Sequence, residues 1–176
     1  MTHPTLQQTL FNMMMFHYEQ VDKSGMSYHY HPIRVMVRLG PDAQDSERHA
    51  ALLHDVIEDT PITLDILRDL GYSEEVLEMV ELLTRQKTET HRSYIFQLIG
   101  SGNIGAMRVK LADLYDNANV ERAMRCEDEV VRKGILEMIE SRYKPAIRMM
   151  KEVLGKETYG IIEEDLDVEL KEMTDG

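Results

Sequence analysis

Apolar residues recur at three- and four-residue intervals along most of the chain, and no sustained stretch alternates apolar with polar positions, so the sequence predicts an all-α fold. The expected helices cover residues 5–21, 32–39, 45–58, 62–70, 73–84, 90–100, 103–121 and 127–153. The breaks fall on turn and cap chemistry at Gly25, Gly40-Pro41, Asp59-Thr60-Pro61, Gly71 and Ser101-Gly102. Asp45 or Ser46 is the expected cap of the third helix, whose stripe of Ala50, Leu53, Val56 and Ile57 sets the direction in which His54 and Asp55 are read. Pro145 interrupts the last pattern, and a kink or two shorter helices satisfy the sequence equally.

A chain of 176 residues with 43% apolar and 30% charged content fits one globular domain and excludes a disordered or membrane-embedded one. No uncharged apolar run approaches the roughly 20 residues a bilayer-spanning helix needs, and no basic-then-apolar leader opens the chain, so a cytoplasmic protein with no membrane partner is expected. The single cysteine, Cys126, excludes an intrachain disulfide and a thiolate metal cluster. A formal charge of −12 opposes binding to a nucleic-acid polymer. It leaves room for a small anionic substrate, because a metal and a few local cations can reverse the field within one pocket.

Eight acids and a single lysine between Glu157 and Gly176 carry more than half of that charge imbalance. The same stretch contains Tyr159, Ile161, Ile162, Leu166, Val168 and Leu170, so the expected division is a helical domain over 1–154 and an acidic extension over 155–176 that docks on the body or on a neighbouring subunit. The thirteen methionines read as adaptable core filling or a helix–helix contact, and the apolar helical surface leaves a homodimer open.

The strongest local chemistry is Ala51-Leu52-Leu53-His54-Asp55-Val56-Ile57-Glu58-Asp59-Thr60, where His54 and Glu58, and Asp55 and Asp59, are each one helical turn apart. His31 precedes Pro32 at an expected helix start, and Asp113 and Asn117 repeat the one-turn spacing within Val109 to Asn117, in an otherwise apolar helix. His31, His54, Asp55 and Asp113 together offer two nitrogen and two oxygen donors, a set suited to divalent manganese, iron or zinc. A structural reading, with His54 packed in the core and the acids capping the next helix, also fits the 51–60 segment alone.

Three blocks in order, Tyr28-His29-Tyr30-His31-Pro32, Leu53 to Thr60, and Val109-Lys110-Leu111-Ala112-Asp113 through Asn117, resemble the HD-domain metal-dependent phosphohydrolases, and more narrowly the hydrolase domain of the RelA/SpoT family with its small free-standing members. The resemblance spans roughly residues 5–150. It implies a compact multi-helix HD-domain fold holding Mn2+ through His31, His54, Asp55 and Asp113, with Fe2+ or Zn2+ as alternatives. It also implies removal of the 3′-pyrophosphate from a guanosine tetra- or pentaphosphate. Glu58 and Asp59 match the acidic pair that positions or activates the attacking water, and Asn117 matches an asparagine near the nucleotide. With no synthetase or regulatory segment following, hydrolysis alone is expected.

Cations should meet the phosphates, and Lys23, Arg34 and Lys110 are the leading candidates, with Tyr28 lining the nucleotide. Glu19 stands where the family has glycine, Asp22 where an arginine contacts the nucleotide, and Ser27 where proline is usual. The region from Thr84 to Gly105, with Arg85, Lys87, His91, Arg92 and Tyr94, also departs and is expected to form a different pocket wall. Two further readings follow: an HD-type phosphohydrolase of another nucleotide or phosphate ester, and a catalytically weak nucleotide-binding or regulatory protein.

Overall fold

The computed structural model describes residues 3–158 and 160–163. Most of the expected acidic extension, residues 159 and 164–176, therefore lies outside the described residues. The helices are α1 (Leu6–Phe16), α2 (Tyr30–Arg38), α3 (Asp45–Leu53), α4 (Val56–Asp59), α5 (Leu64–Asp69), α6 (Glu74–Leu83), α7 (His91–Ser101), α8 (Ile104–Asn117), α9 (Val120–Met124), α10 (Glu129–Met138) and α11 (Lys144–Leu154). A π turn, Ile139–Tyr143, joins α10 to α11, and a 3-10 turn, Gly155–Thr158, follows α11. Among the described residues the nearest thing to a strand is a single antiparallel bridge between Val21 and Ser27, as the helical periodicity requires.

The fold is organised around α8. Ala106 to Asp116 are buried apart from Lys110, so this helix is enclosed on nearly every side, and its charged Arg108, Asp113 and Asp116 are buried with partners rather than solvated. α2, α3, α6, α7 and α11 pack against it, with Val35, Leu39, Ala50, Leu53, Val80, Ile147 and Met150 in the shared core. Glu47 on α3 and Arg108 on α8 form a buried ion pair at 2.8 Å, which fixes the register of these two helices.

Several boundaries differ from the sequence expectation, each for a local reason. α1 stops at Phe16 because Glu19 takes a left-handed conformation (φ 63°), which a right-handed helix cannot continue. α2 begins at Tyr30, so His31 lies inside its first turn rather than ahead of it. α3 is capped by Gln44, in a reciprocal box with Glu47, and not by Asp45 or Ser46. The expected helix over 45–58 divides at His54-Asp55 into α3 and α4, and α8 ends at Asn117 because Asn119 caps the short α9. Pro145 falls in the first turn of α11, where its missing N–H is tolerated, and the π turn joins the two helices.

The first described residues of the extension lie on the body. The Ile162 N–H donates to the Arg38 carbonyl at 2.8 Å, Lys151 Nζ pairs with Glu163 at 2.8 Å, and Ile161 is buried. Gly40 makes this approach feasible, since a Cβ there would lie 2.0 Å from the Gly160 oxygen and its φ is +79°. Gly40→Ala is expected to lower stability by about 2 kcal/mol or more, read as a drop of several degrees in Tm. Gly25→Ala is the control, with φ +81° and nothing within 4 Å of the added Cβ, so it bears only the backbone strain.

Candidate metal centre and its cavity

Two imidazoles are aimed at one point by hydrogen bonds on their far sides. The His31 Nδ1–H donates to Asp116 Oδ2 at 2.8 Å, and the His54 Nδ1–H donates to the Ala51 carbonyl at 2.8 Å. Each bond leaves Nε2 turned toward the other ring, the arrangement in which a carboxylate or carbonyl fixes the ring for metal ligation. Asp113 Oδ1 lies 3.2 Å from His31 Nε2 and 3.6 Å from His54 Nε2, and Asp55 Oδ2 lies 3.6 and 3.0 Å from the same two atoms. His31, His54 and Asp113 are all buried, and their donor atoms come within 4.8 Å of one another.

The donor set fits a divalent cation. His54 Nε2 is buried with no hydrogen-bond partner, which is costly unless a cation takes its lone pair or a proton is added and faces the carboxylates. The break between α3 and α4 creates this geometry. It turns Asp55 into the site beside His54, whereas in a continuous helix neighbouring side chains diverge by about 100°.

The surrounding charges tune the cluster. Burial alone would raise the Asp113 pKa, but Lys110 at 2.7 Å and the two imidazoles outweigh it and hold the carboxyl well below its usual range. Asp55 is held down in the same way by His54 and His31 against its burial. Burial would lower His54, but Asp55 and Asp113 push it up to about 9. In protein stripped of metal this raised pKa stabilises the fold fully below the unfolded value near 6.5, and the contribution is lost as pH rises through about 9. The Tm of chelated protein is therefore expected to fall between pH 6.5 and 9, and excess divalent metal to flatten that dependence, as thermal unfolding at stepped pH would show.

The cluster opens into a cavity of about 1020 Å³, large enough for a nucleotide. Among the expected site residues, Lys23, Tyr28, Glu58, Asp59, Lys110 and Asn117 line it together with His31, Asp55 and Asp113. The Tyr28 hydroxyl donates to Asp55 Oδ2, and its ring rests 4.7 Å from that of buried His17. Lys110 and Asn117 bind the two oxygens of Asp113, with Asn117 Nδ2 at 2.6 Å from Oδ1. Glu58 accepts from the Arg85 backbone N–H at 3.1 Å and faces its guanidinium at 3.5 Å. Asp59 Oδ2 lies 3.5 Å from Gln20 Nε2, and burial followed by the Asp55 charge raises its pKa against the opposing pull of Gln20, His17 and Tyr28.

Arg34 does not reach the cavity. Its Nε and Nη2 donate to Asp116 at 2.7 and 3.0 Å, so it holds the carboxylate that orients His31. Asp116 itself was not legible as a site residue, although it lies one turn beyond Asp113 in a buried helix. Burial would raise its pKa, but His31 and Arg34 outweigh that and keep it ionised. Arg122 from α9 approaches Asp116 at 3.4 Å, Asn117 at 3.3 Å and Asp22 at 4.0 Å, which places a cation opposite the carboxylate of the 17–28 loop. Asp22 Oδ1 closes that loop by accepting from the Ser24 N–H and hydroxyl and from the Met26 N–H. Arg85, His91, Arg92 and Tyr94 form one wall of the cavity, joined by Arg142 and Tyr143 of the π turn.

The chain is 30% identical over 138 residues, 73% of its length, to the guanosine-3′,5′-bis(diphosphate) 3′-pyrophosphohydrolase of Aquifex aeolicus, of which this region is 19%. It is 39% identical over 116 residues to the human guanosine-3′,5′-bis(diphosphate) 3′-pyrophosphohydrolase MESH1, covering 61% of this chain and 62% of that protein. The bifunctional (p)ppGpp synthase/hydrolase SpoT of Escherichia coli is 34% identical over 119 residues. The chain thus spans less than two thirds of the length of these relatives. A solved structure described as a metazoan ortholog of SpoT that hydrolyses ppGpp superposes with a TM-score of 0.61 at 20% identity, covering 88% of this chain and 99% of that one. No family model matches the chain.

The helical fold and its buried imidazole–carboxylate cluster place the chain in the HD-domain superfamily. Its relatives in sequence are the RelA/SpoT-type hydrolases, MESH1 among them. Among the described residues no helix is long and apolar enough to cross a membrane.

Proposed function

We propose that the protein is a manganese-dependent phosphohydrolase that removes the 3′-pyrophosphate of a guanosine 3′,5′-bis(diphosphate)-like nucleotide. The convergence of His31 Nε2 and unpartnered His54 Nε2 on Asp113, with Asp55 alongside, carries this reading. In it His31, His54, Asp55 and Asp113 are the metal ligands, a small anionic nucleotide is the partner rather than a nucleic-acid polymer or a membrane, and the protein works in the cytoplasm.

A divalent ion in this donor set supplies a Lewis acid for a phosphoryl oxygen and neutralises charge in the transition state. Asp59 takes the proton of the attacking water, since its carboxylate is the less engaged of the acidic pair and its raised pKa favours proton uptake. Glu58, fixed by Arg85 on two sides, orients that water. Lys23 and Lys110 lend positive charge to the phosphates, and Tyr28 and Asn117 border the nucleotide while holding Asp55 and Asp113 in place.

Asp22 supports a second reading. A carboxylate bound into its own loop and facing Arg122 offers a nucleobase neither a cation nor a stacking plane, which favours a different nucleotide substrate for the same chemistry. The test is mass-resolved product formation with manganese from separate guanosine tetraphosphate, nucleoside triphosphate and nucleoside monophosphate samples spanning the common bases, with folded Asp55→Ala protein as control. Pyrophosphate released from the tetraphosphate alone is the expected result. Cleavage of another sample in its place moves the assignment to the second reading, and no turnover on any of them contradicts both readings for these substrates.

A further inference from the structure

α2 presents three residues to one carboxylate. His31, Arg34 and Arg38 lie at i, i+3 and i+7, the spacing that puts side chains on one face of a helix, and that face meets α8 at Asp116. Asp116 Oδ2 accepts from the His31 Nδ1–H, and Arg34 binds both of its oxygens. Arg38 approaches from the other end of the row, with its Nε buried and 3.9 Å from Asp116 Oδ1. The Arg38 side chain is 12% exposed and that of Arg34 38%, so solvent screens Arg38 less, which offsets its greater distance.

Arg38 is also where the chain following α11 returns to the body. Its Nη1 donates to the Ile162 carbonyl at 3.0 Å while its own carbonyl accepts the Ile162 N–H at 2.8 Å, so this residue is gripped by both backbone and side chain. Other contacts anchor the segment: Ile161 is buried in the main core, Glu163 pairs with Lys151, and the Arg108 guanidinium donates to the Glu157 carbonyl. Gly160, at φ +85°, passes against Gly40, two residues beyond Arg38. A polar path of three steps thus joins the segment to the metal-binding cluster, from Ile162 to Arg38, from Arg38 to Asp116 and from Asp116 to His31. An arginine side chain has many rotamers, and the Ile162 carbonyl restrains this one where its charge faces Asp116.

We propose that Arg38 is a positioning residue of the metal centre and that the docked 160–163 segment acts through it. Docking holds Arg38 at Asp116, Asp116 fixes the His31 ring, and docking and metal binding favour one another. The inference rests on His31 being a metal ligand, while the link from the segment to the His31 ring can be tested without metal. Coupling of this kind is reciprocal, so the factor that docking adds to metal affinity is the factor that metal adds to docking.

The test compares wild-type, Arg38→Gln, Ile162→Pro and Asp116→Asn protein. The Ile162 side chain is exposed, so proline there removes the N–H that binds Arg38 without opening the core. In chelated protein the His31 Nδ1–H resonance should move in both Arg38→Gln and Ile162→Pro, while that of His54, whose partner is the Ala51 carbonyl, stays in place. Manganese affinity, from electron paramagnetic resonance of the free ion, should fall about three- to tenfold in these two variants and about 10- to 100-fold in Asp116→Asn. Manganese should in turn slow hydrogen exchange of the 160–163 amides of the wild type by about the same three- to tenfold, read by mass spectrometry, and have no such effect in Arg38→Gln. An unmoved His31 resonance in Arg38→Gln, or a His54 resonance that moves as far, removes Arg38 from the positioning of the ring. A His31 resonance that moves in Arg38→Gln but not in Ile162→Pro, or exchange at 160–163 that ignores manganese bound by the wild type, overturns the role of the segment. Wild-type protein that binds no manganese while both ring resonances behave as expected refutes the metal reading alone.

Discussion

Asp113→Ala is expected to reduce turnover by at least about a thousandfold, because in the proposed mechanism Asp113 would hold the metal from α8 and its loss would remove a Lewis-acid contribution of several kcal/mol. Asp113 is the carboxylate that stands between both imidazoles while receiving Lys110 and Asn117. Its removal leaves the Lys110 ammonium in a largely buried place without its counter-ion, and breaking such a pair costs about 3–5 kcal/mol of stability. Asp113→Asn separates the two effects, since it retains the side-chain volume and removes the charge. Turnover by folded Asp113→Asn protein, with circular dichroism confirming the fold, decides the point. Activity within about tenfold of wild type would remove Asp113 from the metal centre.

Asp59→Asn should lower kcat by about 10²- to 10⁴-fold, the range for losing a general acid–base group, with KM and bound manganese nearly unchanged. Asp59 borders the cavity one turn beyond Asp55, and burial together with the Asp55 charge raises its pKa. Activity of the wild type should therefore fall as pH drops through that raised value and Asp59 becomes protonated. In Asp59→Asn the residual activity should lose this acid limb. Glu58→Gln should have a smaller effect on kcat, because its fixed contacts to Arg85 suit orientation rather than proton transfer. Steady-state kinetics across pH 5 to 9 on the three proteins would show both outcomes, and a larger loss in Glu58→Gln would reverse the two roles.

Much of this architecture is written in the periodicity of the chain. The stripes of α3, α6 and α8 give the core helices directly, and His31, His54, Asp55 and Asp113 stand out because ionisable groups embedded in apolar runs need a partner. The interruption between α3 and α4 is invisible at that level, since Val56 and Ile57 continue the stripe of Ala50 and Leu53 past the point where the helix stops. Arg34 reads from the sequence as a phosphate ligand, and only the packing of α2 on α8 shows it bound to Asp116 instead. Asp116 is masked for the same reason: a buried acid that orients a histidine has no local sequence mark distinguishing it from a surface acid. The π turn escapes too, because Pro145 announces irregularity without specifying how neighbouring residues are redirected, and that turn brings Arg142 and Tyr143 to the cavity.

The account rests on a metal held where two imidazoles and two carboxylates meet. Titration of manganese into chelated protein, followed by electron paramagnetic resonance of the free ion, measures this directly. One manganese ion bound per wild-type chain, and none in folded His54→Gln or Asp55→Ala protein, is the predicted result. The same stoichiometry and affinity in both variants would contradict it.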